Sequence, residues 1–163
     1  MSTVNGGLTI AKANATVTAN SGTLTYNGGN QTVSGFTASG LVGGETAAVL
    51  SGVSASRTEK NAGTYATTAS GTDGNYNLSF VDGSMLINKA ALTATGNSTS
   101  VTYNGANQTV SGFTVSGLQG SDTVASLSSV AASGATGKNA GSYTNTVTAG
   151  TETNYTVSTV NGG

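Results

Sequence analysis

The chain contains no cysteine, no histidine and no proline among its 163 residues. Without cysteine it can form neither a disulfide nor a thiolate metal site, and without histidine it lacks the commonest general base and metal ligand. Charged residues make up only 7% of the chain, and the formal net charge is −1. Because five lysines and arginines cannot form the basic surface that neutralises phosphates, we expect no nucleic-acid partner.

Long apolar segments are missing as well. No run approaches the roughly 20 apolar residues that cross a bilayer, so we expect no membrane insertion. No N-terminal stretch has the order of a signal peptide, which predicts that any export signal lies upstream of this sequence.

An internal repeat dominates what is present. TYNGGNQTVSGFTASGL from Thr25 returns as TYNGANQTVSGFTVSGL from Thr102, 77 positions later. KNAGTY from Lys60 returns 78 positions later, and the NY segment from Asn75 returns 79 positions later. The rising offset indicates two one-residue insertions in the second copy, one opposite 54–59 and one near Thr72, both expected in loops.

The same six residues, STVNGG, occur at 2–7 and at 158–163. This identity indicates equivalent points of a longer periodic array. We therefore expect residues 1–13 to be the closing strand of a preceding repeat or the start of unit 1. Repeat unit 1 is predicted at 14–90, and unit 2 at 91–163 is predicted to be truncated at its last hairpin.

Alternation of apolar and polar residues predicts β-strands throughout, with Gly and Asn-Gly at the turns. Asp82–Gly83 predicts a type I′ turn that pairs Tyr76–Val81 with Met85–Ile87 as a hairpin. Leu8–Ile10 and Tyr155–Val160 would then each be half of the same hairpin. The fold class is mainly β, with two tandem small β-rich repeat units forming an elongated rod. A β-grasp-like unit with one short helix each, near GETAAVLSGV, remains the alternative.

The larger side chains recur at matching places and are predicted to form the small core of each unit. They are Tyr26 and Tyr103, Phe36 and Phe113, Leu41 and Leu118, Leu50 and Leu127, Tyr65 and Tyr143, and Tyr76 and Tyr155.

Four motifs, in the same order in both copies, resemble a known family. The Tyr-Asn-Gly tripeptides resemble the signature of YDG repeats, with Asn in place of Asp. The KNAG[TS]Y and NY…V[DN]G…KA segments are similar to the same group and its MBG relatives. The signature residues are Tyr26, Asn27, Gly28, Lys60, Asn61, Gly63 and Tyr65, with Tyr103, Asn104, Gly105, Lys138, Asn139, Gly141 and Tyr143 in the second copy.

The resemblance implies tandem arrays in large bacterial surface proteins, many of them filamentous-haemagglutinin-like adhesins. It implies an extracellular, β-rich stalk module at the bacterial cell surface. It carries over no catalytic residue, no cofactor and no metal ligand.

The residues themselves offer few sites for chemistry. The isolated acids Glu45, Glu59, Asp73, Asp82, Asp122 and Glu152 mostly lie in predicted turns, where solvation is the simplest interpretation. Paired-carboxylate catalysis and calcium binding both require acids close together, so we expect neither an enzyme nor a metal site.

Two modifications stay open from the sequence. An internal Lys–Asn isopeptide bond would use a buried lysine beside an acid, and Lys60/Lys138, Lys12/Lys89 and Glu45/Asp122 recur in both copies. Asn-x-Ser/Thr acceptors for glycosylation stand at Asn14, Asn30, Asn97, Asn107 and Asn154.

Two functional hypotheses follow. The leading one is a non-catalytic structural stalk or spacer repeat that projects a distal adhesive domain. The alternative is that the repeats themselves bind carbohydrate or a host protein, which would need exposed aromatic rings. The expected partners are adjacent repeats of the same chain, with head-to-tail self-association, and a host ligand of unknown identity.

Overall fold

A computed structural model describes residues 5–163. The first copy of the repeat contains β1 Ala13–Ala19, β2 Gly22–Thr25, β3 Gln31–Ser34, β4 Phe36–Ser39, β5 Val53–Glu59, β6 Gly63–Thr67, β7 Ala69–Gly71, β8 Tyr76–Val81 and β9 Gly83–Asn88. The second contains β10 Ala90–Gly96, β11 Gln108–Val110, β12 Phe113–Ser116, β13 Val130–Ala132, β14 Ala135–Gly137, β15 Val147–Ala149 and β16 Tyr155–Val160.

The mainly β class with two tandem repeats is confirmed. Helical structure in residues 5–163 is limited to two 3-10 helices of three residues, Ala47–Val49 and Val124–Ser126. The first lies in the GETAAVLSGV segment, where Gly and Ser disfavour a longer helix. No helix in the described part of the chain is long and apolar enough to span a membrane.

Each copy is organised around one central strand. In the first, β1 pairs antiparallel with β4 and parallel with β8, and in the second β10 pairs in the same way with β12 and β16. Thr16 lies opposite Ser39 as Thr93 lies opposite Ser116. Equal registers at equivalent positions confirm the offset read from the sequence.

The remaining strands of residues 5–163 form the three-stranded sheets β3-β5-β7 and β2-β9-β6 and the two-stranded sheets β11-β14 and β13-β15. The seven-residue strand β5 corresponds to two short strands, β13 and β14, separated by Ser133 and Gly134. Gly134 has φ +71°, a conformation that favours glycine. The expectation that the first inserted residue lies in a loop is therefore wrong, because this residue interrupts a strand.

The predicted hairpin at Asp82–Gly83 is also wrong. Strand β8 pairs with β1, whereas β9 is the middle strand of the sheet β2-β9-β6. No non-glycine residue of the described chain has positive φ, so Asp82 does not take the type I′ conformation. Glycine is needed at position 83 because the backbone of Asn20 lies close to it. A Cβ on Gly83 would lie 2.3 Å from the carbonyl oxygen of Asn20.

The strand expected at Leu8–Ile10 is not formed. Residues 5–12 contain no strand, and the side chains of Leu8 and Ile10 are 87% and 85% exposed. The rest of that prediction, residues 1–4, lies outside the described residues. Between the two copies, Lys89 alone separates β9 from β10.

The chain divides into two compact units that differ from the sequence repeats. Among the described residues, unit 1 comprises 5–22, 31–59 and 64–86, and its core includes Val17, Leu50 and Tyr76. Unit 2 comprises 23–30, 60–63 and 87–163, so it contains two short segments of the first sequence copy.

The predicted core is confirmed only in part. Tyr26, Leu50, Tyr76 and Tyr155 are buried, but Tyr103 and Tyr143 are 61% and 42% exposed, so their placement in a core is wrong. The other predicted core residues are half-buried, namely Phe36, Leu41, Tyr65, Phe113, Leu118 and Leu127.

Candidate functional site

Two tyrosines and one aspartate meet in a cleft of unit 2. The hydroxyls of Tyr26 and Tyr155 both donate to Oδ2 of Asp122, at 2.8 and 2.6 Å. The two rings lie edge to face, with centroids 5.4 Å apart. Tyr26, Asp122 and Tyr155 are called the tyrosine–aspartate cluster below.

Backbone contacts fix each member of the cluster. Tyr26 follows β2, and its N–H donates to the carbonyl oxygen of Asn88 at 2.8 Å. Tyr155 begins β16, and its hydroxyl also accepts the N–H of Gln119 at 2.9 Å. Asp122 lies in the turn closed by its own N–H donating to the Gln119 carbonyl at 3.0 Å. The Tyr155 hydroxyl thus both accepts and donates, which fixes its proton toward Asp122.

The charge states of the cluster follow from these contacts. The hydrogen bond from Tyr155, helped by that from Tyr26 and by the charge of Lys60, lowers the pKa of Asp122 despite burial. Burial and the neighbouring carboxylate raise the pKa of Tyr155 to about 12, and the same causes raise the pKa of Tyr26. At neutral pH the aspartate is ionised and both phenols keep their protons.

The KNAG segment of the first copy borders the same cleft. The Ala62 N–H donates to Oδ1 of Asn154 at 2.9 Å, and Nδ2 of Asn154 donates to Oδ1 of Asn61 at 3.2 Å. Gly28 is also closely packed, because a Cβ there would lie 2.8 Å from the Gln119 carbonyl oxygen. Residues of the signature therefore make polar and close backbone contacts within unit 2.

Glu152 is a buried acid that lines the same cleft. Its carboxylate accepts the N–H and the hydroxyl of Ser129, both at 2.7 Å, and the hydroxyl of Ser128 at 3.3 Å. Burial alone would raise the pKa of Glu152, but the hydrogen bonds from Ser129 and Ser128 outweigh it and lower the pKa. The expectation that Asp122 and Glu152 are simply solvated is wrong.

The recurrent lysines Lys12 and Lys89 also have defined partners. Lys12 donates to the Asp73 carbonyl at 2.7 Å, and Lys89 donates to the Glu152 carbonyl at 2.6 Å. Both amines are thus held by backbone oxygens rather than by an asparagine side chain. Lys60 and Lys138 are exposed.

The first copy holds an incomplete version of the cluster within unit 1. Tyr76 donates to Glu45 and accepts the N–H of Val42 at 3.0 Å, as Tyr155 does with Asp122 and Gln119. The hydrogen bond to Glu45 raises the pKa of Tyr76. Glu45 itself is exposed, whereas its counterpart Asp122 is half-buried.

The second-copy signature lies on another part of unit 2. Tyr103, Lys138 and Tyr143 line an open groove of about 330 Å³ together with Val101 and Gly163. The tripeptide itself forms the same turn in both copies. Asn27 Oδ1 accepts the Gly29 N–H and Asn104 Oδ1 accepts the Ala106 N–H, with φ near +78° at Gly28 and Gly105.

These geometries suit binding between parts of the protein more than proton transfer. General acid–base catalysis works best with a group whose pKa lies near the operating pH. In the cluster, the pKa of the aspartate is lowered and the pKa values of the tyrosines are raised, so both move away from neutral pH. No group of three or more His, Cys, Asp or Glu residues is placed to hold a metal among residues 5–163.

Replacing Asp122 by asparagine is expected to lower the free energy of unfolding by about 1–2 kcal/mol at pH 7. A carboxyl whose folded pKa is lowered stabilises the protein above its unfolded pKa, and that contribution is lost as the pH falls through the folded value. The loss of stability below pH ~4 should therefore be smaller in the variant. Urea unfolding across pH measures both effects.

Glu45→Gln is the matched control, because Glu45 is the exposed counterpart with one tyrosine donor. It should change stability by less than about 0.5 kcal/mol. Equal losses for the two variants would contradict the assignment of Asp122 as the shared acceptor of two phenols.

Comparison with known proteins agrees with this repeat organisation. The model of the MBG domain of YGX type matches residues 15–86 and again residues 92–163. No curated protein and no solved structure matches the chain significantly. Because the two matches cover most of the sequence, the chain belongs to the MBG domain family and consists of two tandem MBG repeats.

Proposed function

We propose that these MBG repeats are a non-catalytic structural stalk of a secreted bacterial cell-surface adhesin. The stalk projects a distal adhesive domain from the cell, and longer arrays of the repeat form an elongated rod. Support comes from the family, from the tandem organisation and from the way in which the signature residues are used.

The observation that carries the proposal is that Tyr26 is buried and hydrogen-bonded inside the protein. Its side chain is 3% exposed, and its hydroxyl is bonded to Asp122 of the second copy within unit 2. A tyrosine in this state presents no ring face to a sugar. The first-copy signature thus contacts a residue of the second repeat. Contacts between consecutive repeats are what stabilise a structural array.

The other aromatic residues of the first copy also support the stalk function over carbohydrate binding. Tyr76 is buried, Phe36 and Tyr65 are half-buried, and Arg57 lies 5.5 Å from the centre of the Tyr65 ring. A carbohydrate site usually offers open rings for stacking. Phe80 is the one exposed ring among the aromatic residues of the first copy, at 39%, so the first copy offers a single open ring rather than an aromatic patch.

The alternative function, direct binding of carbohydrate or a host protein, has one observation in its favour. Tyr103 and Tyr143 are exposed and border the same groove of unit 2. Their counterparts Tyr26 and Tyr65 are buried and half-buried, however, which favours a groove that another repeat fills.

Arrays of increasing repeat number distinguish the two functions. If the repeats are a stalk, small-angle scattering of arrays of two, four and eight repeats should give a maximum dimension that grows in proportion to the number of repeats. The same arrays should not bind a glycan array or host-cell surfaces. Saturable binding that is lost in Tyr103→Ala and kept in Tyr26→Phe would instead support the binding function.

A further inference from the structure

Asn27 and Gly28 form an asparagine–glycine turn that packs against the second copy. Oδ1 of Asn27 accepts the Gly29 N–H at 2.9 Å, and Gly28 has φ +78°. A Cβ on Gly28 would lie 2.8 Å from the Gln119 carbonyl oxygen and 2.9 Å from Cα of Gly120. A Cβ on Gly120 would in turn lie 3.2 Å from the Asn27 carbonyl oxygen. The two backbones are therefore in close contact at this turn, within unit 2.

The tyrosine–aspartate cluster holds the backbone on both sides of this contact. The Asp122 N–H donates to the Gln119 carbonyl oxygen at 3.0 Å, and the Tyr155 hydroxyl accepts the Gln119 N–H at 2.9 Å. Across the contact, Tyr26 directly precedes the turn and donates its hydroxyl proton to Oδ2 of Asp122 at 2.8 Å. Loss of the cluster would therefore loosen the packing on Gly28.

Asparagine followed by glycine is the dipeptide most prone to deamidation, because glycine has no side chain to hinder its backbone nitrogen. In this reaction the glycine nitrogen loses its proton and attacks Cγ of the asparagine. A C–N bond forms, and the side-chain nitrogen leaves as ammonia. Water then opens the resulting succinimide ring at either carbonyl, which gives aspartate or isoaspartate. Water is the sole co-reactant.

The turn meets two requirements of this reaction and fails a third. The Asn27 side chain is exposed to water, and no described residue accepts a hydrogen bond from the Gly28 N–H. Ring closure, however, rotates the peptide between Asn27 and Gly28 toward the side chain, which shifts Gly28. The backbone of residues 119–120 leaves no room for that shift. The closed contact thus blocks a reaction for which the turn is otherwise suited.

We infer that Asn27 is a deamidation site whose reaction is controlled by the contact between Gly28 and residues 119–120. The succinimide forms in molecules in which this contact has opened locally, so the rate follows the open fraction. The inference concerns a contact between the two copies, and it does not depend on the proposed stalk function.

The two products have different effects on the contact. Aspartate keeps a side-chain oxygen that accepts the Gly29 N–H, and the main chain keeps its length. Isoaspartate directs the main chain through Cβ and Cγ, which lengthens it by one atom directly before Gly28. The packing at Gly28 has no space for a longer chain. Isoaspartate at position 27 therefore prevents the contact from closing and weakens the hydrogen bond between Tyr26 and Asp122.

Peptide mapping by mass spectrometry measures deamidation at Asn27 in the full chain at mildly alkaline pH. The urea-unfolded chain gives the rate without the contact, and the folded chain should react more than about 10-fold more slowly. Asp122→Asn should accelerate the reaction in the folded chain roughly 5–30-fold, the factor that corresponds to its expected loss of stability. Tyr155→Phe removes the hydroxyl that accepts the Gln119 N–H, so it should accelerate the reaction as well.

Glu45→Gln is the matched control, because it removes the equivalent acid of the first copy, which lies in unit 1. Its rate of deamidation at Asn27 should equal that of the unmodified protein. Asn27→Asp should unfold at the same urea concentration as the unmodified protein, whereas isoaspartyl methyltransferase should label position 27 of the folded, reacted protein. Equal rates in the folded and unfolded chains, or no acceleration in Asp122→Asn and Tyr155→Phe, would overturn the inference.

Discussion

Replacement of Asn145 by alanine is expected to lower the free energy of unfolding by about 3 kcal/mol. The Asn145 side chain is fully buried in unit 2. Its Nδ2 donates to the carbonyl oxygens of Asn97 and Gly112, at 3.1 and 2.9 Å, and its Oδ1 accepts the Gly134 N–H at 2.9 Å. Alanine would leave these buried groups without their partner.

The repeat supplies a matched control for Asn145. The equivalent position of the first copy is Thr67, which is also fully buried, and its hydroxyl has no hydrogen-bond partner within the described residues. Thr67→Val should leave stability unchanged or raise it by about 1 kcal/mol, because it removes an unpaired polar atom at nearly constant volume. Denaturant unfolding of both variants tests this prediction. A large loss of unfolding free energy for Thr67→Val, with no loss for Asn145→Ala, would contradict it.

Asn145 also explains how the second copy tolerates its inserted residue. Gly134 lies in the break between β13 and β14 and donates its N–H to Oδ1 of Asn145. The first copy has an unbroken strand β5 at this place and has threonine at the equivalent position. The asparagine therefore satisfies a backbone group that the insertion removes from regular strand pairing.

Local patterns in the sequence were sufficient to predict strands and repeat offsets. Period-two alternation in segments such as Ala13–Ala19 has a direct physical cause, because one face of each strand is buried. The equivalent tyrosines Tyr76 and Tyr155 were correctly placed in a core because large side chains recur at matching positions of the two copies. These features depend on residues close together in the chain.

Strand partners could not be predicted from local patterns. Asp82–Gly83 has the composition of a hairpin turn, yet Gly83 is needed for backbone packing against Asn20, and β8 and β9 join different sheets. Pairing is decided by distant segments such as β1 and β2, whose contacts leave no mark in the sequence near the turn.

The candidate site was missed for a related reason. Glu45 and Asp122 were recognised as recurrent acids, but their neighbours in sequence are those of a solvated turn. The partners of Asp122 are Tyr26 and Tyr155, which lie 96 and 33 residues away. A helpful signal was the recurrence of tyrosine and acid together in both copies, which a hydrogen bond between them explains.

The contrast between Tyr26 and Tyr103 shows why equivalent residues need not have equivalent burial. Their local sequences are nearly identical, but Tyr26 is 3% exposed and Tyr103 is 61% exposed. Tyr26 has Asp122 and Tyr155 as neighbours, and Tyr103 lines an unfilled groove. The burial of Tyr26 thus depends on residues of the second copy.

Appending a second copy of Leu8–Ala13 after Gly163 is therefore expected to stabilise unit 2. The added leucine and isoleucine would each contribute about 2 kcal/mol on burial, and covering Val101 and Tyr103 would add to this gain. Ordering the added backbone costs about 1–2 kcal/mol per residue, so the strand hydrogen bonds of the extension must also contribute to any net gain. For a unit of this size, each 1 kcal/mol of net gain corresponds to about 4–8 °C in melting temperature.

The same extension with aspartate at its leucine and isoleucine positions is the control, since it has equal length but cannot bury those side chains. Differential scanning calorimetry of the two extended proteins is the most direct test that each repeat is completed by a strand of the next. The account predicts the higher melting temperature for the apolar extension alone. Equal melting temperatures for the two extensions and the original chain would contradict it.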